Sequence, residues 1–107
     1  MGYKRKFTRL KLGCQGDLFR GSELISCQMV DVSEKGMLLR TGTPLTLDEE
    51  LPFEFLLGPS RRIKCTVKIL REAKGEYGAQ IVHISQDDQQ YLTEHIDDFI
   101  ASNFGRH

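Results

Sequence analysis

The chain has 107 residues, with 15 Lys plus Arg against 15 Asp plus Glu, 39% hydrophobic residues, three cysteines and no Trp. A chain of this length is expected to bury a single core, and a composition with 28% charged residues and many branched apolar ones excludes whole-chain disorder and low complexity. No apolar run approaches the ~20 residues of a membrane-spanning helix, and the basic start Met-Gly-Tyr-Lys-Arg-Lys has no apolar stretch behind it, so no signal peptide is expected.

The zero net charge hides a sorted distribution. All charged residues among the first sixteen are positive (Lys4, Arg5, Lys6, Arg9 and Lys11), whereas residues 86–103 carry Asp87, Asp88, Glu94, Asp97 and Asp98 with no Lys or Arg. Residues 1–9 therefore read as a flexible basic arm. Leu10 and Leu12 begin a strand-like segment, and Gly13 to Asp17 carries the residues of a turn. Residues 18–32 form a long β-leaning run containing Ile25, Cys27, Met29, Val30 and Val32, with Gly21 as a bend or bulge. Ser33 to Gly36 is a turn, and residues 36–41 a short strand. After Gly42 to Pro44, residues 51–57 alternate through Phe53, Phe55 and Leu57. Gly58 to Ser60 separates them from residues 61–71, where Ile63, Cys65, Val67 and Ile69 face one way and Arg62, Lys64, Thr66 and Lys68 the other. That period of two marks a half-buried strand. Lys74 to Glu76 turns the chain into a last strand over 77–84.

From Gln86 onward the period changes. Leu92, Ile96, Phe99 and Ile100 follow i, i+4, i+7, i+8 and form one apolar stripe on a helix. Ser85 is a suitable N-cap, Asp87 and Asp88 suit the positive helix start, and Gly105 a suitable stop. Six strands without intervening helices, followed by one helix, predict a mainly β fold: an antiparallel barrel or sandwich over residues 10–84 with a C-terminal α-helix over 86–104, the whole forming a single domain.

Cys14, Cys27 and Cys65 have no CxxC spacing and no clustered His, which argues against a zinc site and a disulfide framework and for the reducing cytoplasm. Cys27 and Cys65 read as small buried hydrophobes. His83, His95 and His107 are scattered and read as structural or exposed. No metal ligand set, Ser-His or Cys-His pairing or phosphate loop stands out, so an enzyme is not expected.

Two short motifs carry the chemistry. Arg5-Lys6-Phe7-Thr8-Arg9 is an RxxxR at the junction of the arm and the first strand. Asp31-Val32-Ser33-Glu34-Lys35-Gly36 is a DxSxxG in a turn. Each alone is common, since Asp, Ser and Gly suit any turn. Together, in this order and separated by one β-rich segment, they are far more specific.

With these motifs the sequence resembles the PilZ domain family, bacterial receptors for cyclic di-GMP. Tyr77-Gly78-Ala79-Gln80-Ile81 is similar to the family's Gly-containing last strand, with Ile81 where an aromatic is often found. The resemblance implies a six-stranded antiparallel β-barrel with a C-terminal helix and a site made of Arg5, Arg9, Asp31, Ser33 and Gly36, with Lys4 and Lys6 as secondary contacts. Arginine suits the phosphates and the guanine O6/N7 edges, by its fork, and the guanine faces, by stacking. Asp31 suits the guanine N1 and N2 donors, Ser33 a phosphate or base, and Gly36 a positive φ or a close backbone approach. Lys4, just before RxxxR, points to a self-intercalated ligand pair. No cofactor or metal is implied beyond this ligand.

The function expected is that of a receptor or adaptor whose arm orders over the barrel on binding. It would signal in trans to an effector protein, as a monomer or a ligand-linked dimer. Two alternatives stand beside it: a PilZ-like protein-interaction module without ligand binding, and a small-barrel binder of single-stranded nucleic acid. The zero net charge and the scarcity of aromatics beside the basic residues count against the latter.

Overall fold

The computed structural model describes residues 10–57 and 61–104, with side-chain surroundings for 14–57 and 61–97. Arg5, Arg9, Lys4 and Lys6 lie outside the described residues, as do the turn at 58–60 and Gly105. Six strands and one helix follow in chain order: β1 (Leu10–Arg20), β2 (Glu23–Val32), β3 (Gly36–Arg40), β4 (Glu50–Leu57), β5 (Arg61–Ala73), β6 (Glu76–Ile84) and α1 (Gln86–Phe104). The strands pair antiparallel and close into a barrel in the order β1-β2-β3-β6-β5-β4, so the sheet has no open edge. The expected antiparallel barrel with a C-terminal helix is the fold observed.

Period-two alternation builds the interior. Ile63, Cys65, Val67 and Ile69 of β5 enter the core beside Leu51, Phe53, Phe55 and Leu57 of the neighbouring β4, and Ile25, Cys27 and Met29 of β2 join them. The Phe53 and Phe55 rings stack with centroids 5.5 Å apart. Each such buried side chain contributes about 1.5–3 kcal/mol. Leu92 and Ile96 of α1 belong to the same core, which identifies the barrel as what the helix stripe covers. Phe99 and Ile100 lie beyond the described side chains.

One sequence expectation is corrected. Gly13 to Asp17 is not a turn: β1 runs through it, and the chain reverses instead at Gly21 and Ser22, between Arg20 and Glu23. Gly21 has φ 59°, a backbone that favours glycine and that the right-handed strand twist requires at a tight hairpin. Gly16 answers a different demand, because a Cβ there would lie 2.3 Å from Cζ of Phe53. The Lys74-Gly75 hairpin is as expected, with both residues at positive φ, the pattern of a type I′ turn. Among the described residues no helix is long and apolar enough to cross a membrane.

Candidate functional site

The DxSxxG turn joins β2 to β3 and is built by its own serine. The Ser33 amide donates to the Gly36 carbonyl at 2.8 Å. The Ser33 hydroxyl accepts from the Lys35 and Gly36 amides, both at 3.3 Å, and donates to the Gly36 carbonyl at 3.3 Å. Ser33 is 6% exposed and Asp31 7%, and these two are the buried polar side chains among the described residues. The turn is tied to the neighbouring strand, since the Ile81 amide donates to the Lys35 carbonyl at 2.8 Å. Of the two reasons expected for Gly36, close approach is the one observed: an added Cβ would sit 2.3 Å from the Ala79 carbonyl oxygen.

Asp31 owes its direction to a bulge. Against β3, Met29 pairs with Leu39 and Asp31 with Leu38, leaving Val30 as the extra residue. This shifts the in-out phase, so that Val32 enters the core and Asp31 points to the outer face. On the other side of β2, Lys11 pairs with Asp31 and Leu10 with Val32. In the sequence Arg9, the last residue of RxxxR, directly precedes Leu10. The structure thus gathers Asp31, Ser33 and Gly36 in one turn, and the four basic residues of the arm stay outside the described part.

A cleft of about 420 Å³ adjoins the turn, lined by Glu34, Lys35, Ile81, Val82, His83, Ile84 and Gln89. His83 was legible only as a scattered histidine; its pairing opposite Thr66 at the end of β6 brings it to this cleft. Lys35 was legible as a variable position within DxSxxG, and its exposure beside the turn is what brings it to the site. Thiol chemistry is disfavoured here. Burial pushes Cys27 up to about 11 and Cys65 up to about 12, and raises Cys14 as well. All three cysteines are free. Among the described residues no group of three or more His, Cys, Asp and Glu side chains gathers as a metal site would require.

Comparison with known proteins agrees with this fold. The PilZ domain profile matches residues 3–98. Among solved structures, the chain is similar to the Bacillus subtilis inhibitor of motility MotI/DgrA, with a TM-score of 0.81 and 16% identity over 95% of this chain and 54% of that one. It is also similar to the PilZ domain of CeSA from a cellulose-synthesizing bacterium, with a TM-score of 0.66 and 14% identity over 86% of this chain and 97% of that domain. The PilZ domain of Escherichia coli YcgR with c-di-GMP gives a TM-score of 0.69 and 11% identity over 98% of this chain and 100% of that one. At these identities the likeness is one of fold, and the chain spans about half the length of the motility inhibitor. No curated protein matched the chain.

Proposed function

Because the chain belongs to the PilZ domain family, we propose that it is a receptor for cyclic di-GMP that acts as an adaptor. The observation that carries this reading is the pairing of β1 with β2, Leu10 opposite Val32, which joins the end of the RxxxR segment to the strand end holding Asp31 and Ser33. Arg5 and Arg9 take the phosphates and the guanine edges or faces, since a guanidinium alone offers both a fork and a plane. Asp31 accepts from guanine N1 and N2. Ser33 and Gly36 hold the turn in shape, with the Ser33 hydroxyl within reach of a phosphate that replaces one of its turn bonds. Lys4 and Lys6 add positive charge, and Lys4 favours a ligand pair.

Binding orders the arm over the outer face, and the new surface is read by an effector in trans or by a second copy. The ligand contacts offset the entropy of fixing the arm, about 1–2 kcal/mol per residue of backbone. Isothermal titration with cyclic di-GMP tests the reading, using the unaltered chain and Arg5→Ala, Arg9→Ala and Asp31→Ala. The unaltered chain binds, and each substitution weakens binding by about 2 kcal/mol, as loss of a charge-assisted contact does. Stoichiometry separates one ligand from an intercalated pair.

A protein-interaction module without ligand is the second reading. It is favoured by Ser33 and Gly36, to which the turn bonds and the close approach of β6 already give structural work. No heat with the unaltered chain leaves that reading in place of the first.

A further inference from the structure

We propose that Phe7 anchors the arm when cyclic di-GMP binds, by seating in the cleft of about 420 Å³ beside the DxSxxG turn. The proposal rests on the receptor reading above and names what holds the ordered arm to the barrel. Its first basis is the shape of the barrel end that carries the turn. The pairing of β3 with β6 ends at Gly36 opposite Gln80, yet β6 runs on to Ile84. Glu34 and Lys35 lie beside this overhang, tied to it by the Ile81 amide on the Lys35 carbonyl at 2.8 Å. Gln89 of α1 bounds the cleft on the helix side, its side-chain amide donating to Thr93 at 3.1 Å. A bulge gives the cleft its apolar wall. Against β5, Ile81 pairs with Val67 and His83 with Thr66, leaving Val82 as the extra residue, 41% exposed. A bulge re-aims side chains, and here an apolar one lines the cleft while Ile81 and Ile84 pack on the core.

The second basis is where the chain enters the barrel. Leu10 pairs with Val32 at this same end, about 5 Å away, and Glu34, two residues past Val32, is roughly 7 Å further along the chain. Phe7 lies outside the described residues, and the chain sets its reach. It precedes Leu10 by three residues, which span about 10 Å when extended, so its side chain reaches the cleft. Tyr3 and Met1, the other large apolar residues of the arm, are seven and nine residues from Leu10. Charge does not choose the occupant, because Glu34 and Lys35 on the turn oppose each other; the apolar wall does. An arm seated there crosses the DxSxxG turn, the course its arginines need in order to meet a ligand held by Asp31. One aromatic does not offset the entropy of fixing the segment that carries it, so the seat fills only when the ligand also holds Arg5 and Arg9.

The chain has no Trp, so the indole of Phe7→Trp reports on this position alone. The test reads its emission with and without cyclic di-GMP, beside calorimetric titration of the unaltered chain, Phe7→Trp, Phe7→Ala and Val82→Ser. On saturation the emission is expected to shift to the blue and to become shielded from acrylamide. Phe7→Ala is expected to weaken binding about tenfold, as loss of a buried aromatic contact does. Val82→Ser alters an exposed position and leaves the core intact; it is expected to weaken binding about threefold and, combined with Phe7→Trp, to remove most of the blue shift. Heat of binding without a blue shift overturns the seat and assigns the cleft to the ligand or to another partner. A shift complete before ligand is added, or one untouched by Val82→Ser, overturns it too. If Phe7→Trp fails to bind, Phe7→Ala decides, and unchanged affinity there overturns the seat. All of these leave the receptor reading standing, whereas no heat with the unaltered chain overturns both.

Discussion

Gly36 and Gly16 sit where a methyl group would collide with what lies opposite: the Ala79 carbonyl oxygen at 2.3 Å in one case, the Phe53 ring at 2.3 and 2.6 Å in the other. The Ala79 carbonyl is fixed by the pairing of β3 with β6, and the Phe53 ring by the core. Gly36→Ala and Gly16→Ala are therefore expected to destabilise the fold by about 1–3 kcal/mol each, as overpacking does. Urea unfolding followed by circular dichroism measures this; wild-type midpoints would refute it. Gly78→Ala meets only a flexible arginine stem and should unfold near the wild-type midpoint. The cysteines divide in the same way by surroundings. With Cys27 pushed up to about 11 and Cys65 to about 12 by burial, both stay protonated and shielded at neutral pH. Alkylation of the folded chain read by mass spectrometry should label Cys14 first, and the other two only in denaturant.

Between elements, a few polar ties set how helix and loops meet the barrel. Ser85 caps α1, its hydroxyl accepting from the Asp88 amide at 3.1 Å. Asp88, whose place in the first turn reads as a helix-start charge, also accepts from Arg61 at 2.9 Å and from the Lys64 amide at 3.2 Å, which moors the helix to β5. The Arg61 guanidinium lies 5.0 Å from the Tyr91 ring centroid and adds a cation–π contact. Ser85→Ala should cost about 1 kcal/mol, read as a lowered thermal midpoint. Arg20 binds Glu49 through two bonds of 2.8 and 2.9 Å and also donates to the Pro44 carbonyl, which pins the loop between β3 and β4. The Arg20 guanidinium holds the Glu49 carboxyl below its ordinary range. A lowered folded value means that the pair stabilises above the ordinary carboxylate range, and that this stabilisation is lost as pH falls through the folded value. The thermal midpoint of Glu49→Gln should therefore lie below wild type at pH 7, and the gap should close in acid. A gap independent of pH would argue against the pair.

For the molecule as a whole, a closed barrel leaves one rigid outer face and a terminal segment joined to it at Leu10. If the arm binds ligand against that face, cyclic di-GMP stabilises the folded state by mass action, about 2.7 kcal/mol at a hundredfold excess over Kd. The thermal midpoint of the unaltered chain should rise with ligand, and in Asp31→Ala the rise at the same ligand concentration should shrink to about a third. Amide relaxation by NMR checks the arm itself: residues 1–9 should lose fast motion on binding, and equal order in both states would defeat the switch.

The sequence alone determined the strand parity of β4 and β5, the apolar stripe and cap of α1, and the two motifs. Each of these is a local pattern, read from the spacing of neighbours along one chain. The tertiary structure decided what depends on residues distant in sequence. Gly13 and Gly16 looked like a turn because glycine is common in turns, and only the Phe53 ring opposite Gly16 shows a packing demand instead. Val30 looked like any strand residue, and only its missing partner on β3 reveals the bulge that turns Asp31 outward. Balanced charge and periodicity are properties of the chain, whereas a binding face is assembled by register, and register exists only once the barrel has closed.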